Sequence, residues 1–482
     1  MIGALCTAWG ETCTGRAMIE TGVTLWGGVA RIGRWPEPLR SFTGPAYLPL
    51  KTPATPPVPP GATANTPKIL FWLVVLASLA LGYWVVTYLD VGIGDEDVHR
   101  FQINWFVQGR YELFEHVTVL PLYHLMVATL AKWTGLTSLN GLRLVHLVLA
   151  AGVIPAYFAL CRALHPSQAA PRTLQFMFIP LLFPLLFVTY TDLPALLFTL
   201  LMLERTLRQK YLWAGVFALV AVAMRQPNIV WAAFAVGLIA LHTAREMGVS
   251  VLAGTSAARR GALHTGYWFT LLRRTQYLLL VFAAFAAFVI WNGGVALGDA
   301  AHHPVALNLS NAYFFLMVAF VLFLPFNLEQ LPGIRQLIRE HMWVLPALVA
   351  CFFLYFYTYE HPHPYNAATL DFYRHNLFIH YTSDVTAIRI LAFIPMAWMA
   401  LSFVTAAMTS DYPGEMQLLI PFALLSFLPL PLIEPRYYLA ALSLFLAFGP
   451  AMSTRATAVT LAYYLLASAY ILFGISRQAF FL

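Results

Sequence analysis

The run Asp95-Glu96-Asp97-Val98-His99 packs three carboxylates and an imidazole into five residues. If the run is helical, the i and i+4 spacing sets Asp95 and His99 on one face. A carboxylate held there could take the proton of an attacking hydroxyl as a general base. An acidic, solvated loop is the competing reading of the same residues. A zinc-protease motif is excluded, because that motif needs His at both ends and Asp95 occupies the first position. A hard divalent cation on Asp95, Glu96 and Asp97 is chemically open.

Further candidates stand along the chain. Arg225 interrupts an apolar stretch at Arg225-Gln-Pro-Asn228, and a buried Arg needs an anion, either Asp192 or a ligand phosphate. Pro227 frees backbone groups that Asn228 can satisfy. Asp192, in Tyr190-Thr-Asp192, reads as a helix N-cap or a site residue. His361-Pro-His363-Pro-Tyr365, followed by Asp371-Phe-Tyr-Arg374-His375, gathers His, Arg and aromatics. Such a set suits a sugar platform with a phosphate clamp, or an interfacial aromatic belt. Glu434 and Arg436 can pair with each other. Gly293-Gly294 and Gly298-Asp299 lack the strand–helix context of a phosphate loop.

The elements that position these residues must be membrane helices. Of 482 residues 60% are hydrophobic and 10% charged, whereas a soluble domain carries about a quarter charged residues. Apolar windows of about twenty residues, the length of one crossing, recur from Lys68 onward. The expected spans are 69–89, 117–133, 142–164, 174–188, 193–203, 211–241, 276–291, 312–326, 342–357, 385–408, 416–432, 437–448 and 456–473. Because 211–241 exceeds one crossing and others are short, about twelve crossings are expected, with one segment between Val117 and Leu203 short or re-entrant. Residues 1–67, with Pro53-Ala-Thr-Pro-Pro-Val-Pro-Pro-Gly61, read as a Pro-rich, mostly disordered cytoplasmic extension to a membrane domain over 68–482.

The net charge of +7 fits basic cytoplasmic loops rather than nucleic-acid binding, since no basic stretch interleaves with aromatics on a soluble face. Arg245 to Arg274 and Arg335 to Arg339 fall on that side. Gly94 to His116, Asn292 to Asn311, Glu360 to Asp384 and Glu434 to Arg436 then fall on the opposite side, where the sequon Asn308-Leu-Ser310 also lies. Cys6, Cys13, Cys161 and Cys351 give neither a disulfide framework nor a metal-type pairing. Ionisable residues near the membrane are costly, so those on this face are functional candidates.

Taken in order, these segments resemble the dolichyl-phosphate-glucose alpha-1,2-glucosyltransferase family, of the GT-C type. The resemblance runs through Asp95-Glu96-x-x-His99, Leu120-Pro-Leu-Tyr123, Arg143-Leu-Val-His146, Tyr190-Thr-Asp192 and Arg225-Gln-Pro-Asn228-Ile-Val-Trp231. It continues through Asn292 to Asp299, His361-Pro with Arg374-His375, and Glu434-Pro-Arg436-Tyr437-Tyr438. The chain departs from the family at Pro227, where Thr is usual, and in the spread Asp371 to His375, where a tighter Asp-Asn-Arg-His is usual.

The resemblance implies an all-α GT-C fold with amphipathic helices in the first non-cytoplasmic loop. It implies inverting transfer of glucose from a polyprenyl- or dolichyl-phosphate carrier to a lipid-linked glycan, forming an alpha-1,2 linkage without a metal or other cofactor. Asp95 is then the expected base, with Glu96 second. His99, Arg225, Asn228, Arg374, His375 and Arg436 are expected at the donor, supported by Asp192, Tyr123, His361, Asp371 and Glu434. The site would face the lumen of the endoplasmic reticulum or the bacterial periplasm. A related enzyme using another sugar, or a secondary transporter or flippase built on the broken helix at Arg225, are the alternatives.

Overall fold

In the computed structural model of the chain the described residues are 66–249, 265–298, 304–367 and 375–480. The extension expected before Lys68 lies outside them almost entirely, as do Asp299, Asp371 and Arg374. The described part falls in one compact unit, Thr63–Leu482.

The regular elements among the described residues are helices, as a chain buried in lipid requires, since a helix satisfies its own backbone. They are α1 Thr66–Val86, α2 Glu96–Val107, α3 Leu122–Thr134, α4 Leu139–Ala150, α5 Val153–Leu164, α6 Ala169–Met177, α7 Asp192–Leu207, α8 Tyr211–Met224, α9 Ile229–Glu246 and α10 Thr265–Asn292. After these come α11 Ser310–Leu322, α12 Leu324–Glu329, α13 Leu331–Glu340, α14 Val344–Thr358, α15 His375–Asp384, α16 Thr386–Thr409, α17 Pro413–Phe427, α18 Leu439–Phe448 and α19 Thr454–Ser476. The protein is a polytopic, all-helical membrane protein.

Six described helices are long and apolar enough to cross a membrane: Lys68–Val86, Leu139–Leu164 (α4 running into α5), Gln226–Glu246, Gly266–Asn292, Thr386–Thr409 and Thr454–Ser476. A seventh span arises if α13 and α14, bent by 108°, count as one. Several other expected spans are shorter helices, and at about 1.5 Å per residue they do not reach across the hydrocarbon by themselves. The physical reason is visible at 174–188. Pro180 and Pro184 remove backbone donors there, so α6 stops at Met177 and the chain continues through a 3-10 turn at Phe183–Leu186. Where the sequence predicts one short segment between Val117 and Leu203, α3, α6 and α7 all fall short of a full crossing, and only Leu139–Leu164 is long enough.

Likewise 211–241 is two helices. α8 ends at Met224, and the 3-10 turn Gln226–Asn228 turns the chain into α9. Asn228 Nδ2 donates to the Ala221 carbonyl at 3.0 Å, which also accepts from Arg225 N at the end of α8. α7 packs on α8 and α5, α9 on α10 and α17, and α11 on α16.

Contacts sort the helix ends into two sets. At one end Arg274 pairs with Glu246 at 2.7 Å, and Arg245 Nη2 donates to Glu415 at 3.0 Å. At the other end the loops after α1, α6, α8, α10, α14 and α17 meet. Thr189 N donates to Glu96 at 2.9 Å, Gln226 Nε2 donates to the carbonyls of Thr118 and Val295 at 2.9 and 3.1 Å, and Asn366 Nδ2 donates to the Ile433 carbonyl at 2.8 Å. Gly298 closes this end. A Cβ there would lie 2.5 Å from the carbonyls of Glu115 and Val117, and its φ of +44° is one that L side chains rarely adopt. The sequon asparagine lies here too, with Asn308 Nδ2 donating to the Pro431 carbonyl at 2.8 Å, so its amide is already engaged.

Candidate active site

The loop that leaves α1 turns at Gly94, whose φ is +58°, and hands the chain to α2. Asp95 is the N-cap residue of that helix but makes no side-chain cap bond; its carboxylate is directed elsewhere. Its backbone N–H donates to the Tyr190 hydroxyl at 2.7 Å, and that hydroxyl donates to the Ile93 carbonyl at 3.0 Å. The turn that presents Asp95 is thereby pinned to the loop that presents Asp192. The Asp95 side chain is 49% exposed and pairs with Arg436.

Around that pair lies a cavity of about 330 Å³, lined among others by Asp95, His99, His116, Thr191, Arg225, Tyr365, Glu434, Arg436 and Tyr437. This is within the range of small-molecule sites, roughly 300–1,000 Å³. Arg436 is central: besides Asp95 it approaches Glu434 at 3.4 Å and Asp192 at 3.8 Å. Its guanidinium lies over the ring of Tyr190 at 5.1 Å and that of Tyr437 at 5.8 Å. Arg225 pairs with Asp192 and lies 5.7 Å over the other side chain it shares with Arg436, the Tyr437 ring. The anion demanded by Arg225 is therefore Asp192. Arg225, Arg436 and Tyr437 also line a second, smaller cavity of about 50 Å³, which leads among Leu196, Trp231, Leu430 and Leu439. A charged chamber thus adjoins, across two guanidiniums, a smaller recess of mixed polar and apolar lining.

The structure separates Asp95 from Glu96. Glu96 is fully buried and receives a two-pronged grip from Arg143, Nε to Oε1 at 3.0 Å and Nη2 to Oε2 at 2.8 Å. Thr189 N and Ile93 N complete its shell. The expectation of Glu96 as a second base is corrected accordingly: it cannot meet a substrate hydroxyl from there. One residue along a helix is a turn of about 100°, enough to send adjacent carboxylates to different surroundings. Asp97 points a third way, to Arg100 at 2.7 Å. Three carboxylates aimed at three arginines do not converge, so the hard-cation arrangement over Asp95, Glu96 and Asp97 does not fit these residues.

His99 does share the cavity with Asp95, as the i, i+4 spacing predicts. Burial pulls its pKa down to about 4, although Asp95 nearby pulls it up. A neutral ring suits hydrogen bonding rather than charge neutralisation of a phosphate. One nitrogen, Nδ1, is already bonded to His124 Nε2 at 3.0 Å.

The remaining expected residues divide. Glu434 lines the cavity, and His375 stands behind it, 3.7 Å from its carboxylate and 3.0 Å from the Ile433 carbonyl. Asn228 lines only the smaller recess. Tyr123 is fully buried and bonds His146 at 2.9 Å, so the structure does not bring it to the cavity. His361 also lies elsewhere, against Asp384. Sequence reasoning gave no role to His116, Thr191, Tyr190 or Tyr437. A tyrosine in an apolar chain carries no spacing signal, and only the neighbouring Asp192 and Arg436 mark these positions.

Comparison with known proteins places this geometry in context. The model of the DIE2/ALG10 family matches residues 90–447. A Mus musculus protein named Dol-P-Glc:Glc(2)Man(9)GlcNAc(2)-PP-Dol alpha-1,2-glucosyltransferase is 25% identical over 317 residues, which are 55% of this chain and 65% of the relative. The Arabidopsis thaliana protein of the same name is 22% identical over 436 residues, 73% of this chain and 84% of the relative. In the mouse case the match spans just under two thirds of the relative's length. Among solved structures, Cupriavidus metallidurans ArnT in the apo state is similar with a TM-score of 0.41 at 14% identity, over 87% of this chain and 78% of that one. The same protein bound to undecaprenyl phosphate gives the same TM-score and identity over 86% and 78%.

Proposed function

The chain belongs to the DIE2/ALG10 family, and from that premise we propose that it is an inverting glucosyltransferase. It moves glucose from a polyprenyl- or dolichyl-phosphate carrier to a hydroxyl of a lipid-linked glycan, forming an alpha-1,2 linkage, in the cavity beside Asp95. The observation that carries this reading is the half-exposed Asp95 carboxylate paired with Arg436 at the mouth of a charged chamber. The names of the relatives support the donor and acceptor classes.

Chemically, the acceptor oxygen attacks the anomeric carbon while the bond from that carbon to the phosphate oxygen breaks. The hydroxyl proton passes to Asp95, and the electron pair leaves with the polyprenyl phosphate. A single in-line displacement inverts a beta-linked donor to an alpha product, with no covalent enzyme intermediate. Before donor binding, Arg436 is engaged by Asp95, and a donor phosphate competes for the same guanidinium. Capture of Arg436 by the phosphate relieves Asp95 of its counter-charge, which raises its basicity when the acceptor arrives. Fixed cations stabilise the departing phosphate, so no metal need take part at Asp95.

Asp95, Asp192 and Glu434 oppose Arg225 and Arg436, so this ion-pair cluster holds three anionic groups against two cationic ones. An added phosphate therefore calls for further cations, and Arg374 is the candidate. The recess beyond Arg225 and Tyr437 suits the start of the lipid chain. The basic loops at the opposite ends of the helices support a non-cytoplasmic placement of the face bearing this cavity, lumenal in a eukaryote and periplasmic in a bacterium.

Purified protein given synthetic polyprenyl-phosphate glucose and a lipid-linked acceptor should release polyprenyl phosphate. Asp95→Asn should lower turnover by about 10²–10⁴-fold with donor affinity retained. Unchanged turnover in that variant would remove Asp95 from the chemistry. Turnover with a mannose or arabinose carrier but not glucose would replace the sugar and leave the mechanism standing.

A further inference from the structure

Away from the cavity, the loop after α14 meets the end of α15 through three side chains of metal-binding type. His361 Nε2 lies 3.2 and 3.1 Å from the two Asp384 oxygens, and His380 Nδ1 lies 2.7 Å from Oδ2. One ligand atom from each of the three residues falls within 4.8 Å of the others. His380 and Asp384 are four apart on α15, so they share a face, and His361 reaches them from across the loop. On a tetrahedron with bonds of about 2.0–2.1 Å, ligand atoms stand about 3.4 Å apart, so small side-chain adjustments would admit an ion. We propose that His361, His380 and Asp384 form a binding site for a divalent transition-metal ion, of zinc type, that staples the 359–367 loop to α15.

Ligand chemistry favours zinc over magnesium or calcium. Two imidazoles and one carboxylate are an N/O set, whereas the hard cations require oxygen ligands in number. Each ring now points a nitrogen at Asp384, and a change of tautomer frees that nitrogen's lone pair for a metal. The carboxylate has its own outer partner, the Ser383 hydroxyl donating to Oδ1 at 2.8 Å, as metal-ligating carboxylates usually do. The Asp384 and His380 side chains are 45% and 41% exposed, which leaves an approach for the ion and room for a water as the fourth ligand. The competing account is a hydrogen-bonded His–Asp–His cluster that takes up no metal.

The staple has a consequence for the cavity. The same loop carries Tyr365, which lines the cavity, and its far end is fixed by Asn366 accepting from Ile433 N at 2.9 Å and donating to the Ile433 carbonyl at 2.8 Å. An ion at His361 would fix the near end as well. His361, His380 and Asp384 are not among the residues lining the cavity beside Asp95, so the site stands or falls independently of the proposed transfer reaction.

The test uses untagged, full-length protein in detergent, stripped with chelator and titrated with Zn²⁺ alone. Wild type should bind one Zn²⁺ per chain more than His361→Ala/His380→Ala. The single variants His380→Ala and Asp384→Asn should each weaken that site by more than the roughly 10–100-fold that losing an outer partner costs. Co²⁺ in place of Zn²⁺ should give visible absorption bands of four-coordinate ligation, absent in the double variant. His380 is exposed, so His380→Ala keeps the question open to measurement even if the double variant misfolds. Asp95→Asn should bind Zn²⁺ as wild type does. Equal stoichiometry and affinity in wild type and in His380→Ala would overturn the site.

Discussion

Glu96 and Arg143 are each wholly buried, and among the described residues their two-pronged pair is the ion pair that neutralises both. Such a pair is weak evidence for net stability, but losing one member leaves a buried charge uncompensated. Arg143 also donates to the carbonyls of Leu89 and Val91 at 2.6 and 2.8 Å, so the pair organises the whole turn that leads from α1 to Asp95. Glu96→Gln should therefore lower stability by about 3–5 kcal/mol, visible as a fall in thermal midpoint in detergent. It should also shift Asp95 and reduce turnover as a secondary effect. Glu96→Leu/Arg143→Met, which removes both charges, should recover much of the midpoint without recovering activity, because the Thr189 and Leu89 contacts are gone. A midpoint unchanged in Glu96→Gln would mean that the pair with Arg143 does not hold the turn together.

At the scale of elements, the break between α8 and α9 does more than admit a proline. Gln226, 3% exposed, uses one amide nitrogen to hold the Thr118 and Val295 carbonyls together, joining the loops before α3 and after α10 beside the cavity wall at Thr118 and Val119. Gln226→Leu should cost about 1–3 kcal/mol, since the half-buried Val295 carbonyl loses this donor and the Thr118 carbonyl keeps only Leu297 N–H. Amide hydrogen exchange should then speed up at Leu297, whose N–H donates to Thr118 at 3.1 Å, while the α16 core stays protected. Unaltered exchange at Leu297 would show that the loops hold without the glutamine. Part of this was legible in sequence: a charged residue beside a proline in an apolar run requires a break and an anion, and Asp192 is that anion. The bridging role of Gln226 was not, because its partners are carbonyls more than sixty residues away and carry no side-chain signature. Long spans such as α1, α16 and α19 were readable from uninterrupted apolar runs. The short helices were not, since 174–188 is as apolar as a span and only its prolines betray the turn.

Across the whole molecule, acid sensitivity is written into both ends of the helical bundle. His99 at the cavity end and His165 at the opposite end are buried, and burial pulls the pKa of each down to about 4. His99 faces Asp95, Asp192, Arg225 and Arg436, and His165 faces Arg172 and Asp411. An unfolded chain takes up these two protons near pH 6.5 and the native state does not until about pH 4, so the unfolded state binds more protons in between. Stability is therefore full above about pH 6.5 and declines as the pH falls toward 4, by about 3 kcal/mol for His99 at one unit per 1.36 kcal/mol. Glu415 adds a second stage. Burial raises its pKa, but the hydrogen bonds from His242 and Arg245 win and hold it at about 2. Its contribution is present above about pH 4.5 and is lost as the pH falls toward 2. The thermal midpoint of the detergent-solubilised protein should hold level from pH 8 to 6.5 and then drop. His165→Asn should shrink the first stage to the part that His99 supplies, without touching the cavity, whereas Glu415→Gln should lower the midpoint at neutral pH and flatten only the second. A wild-type midpoint unchanged between pH 7 and 5 would mean that both rings are hydrated in the native state, and the closed packing at the two ends would have to be abandoned.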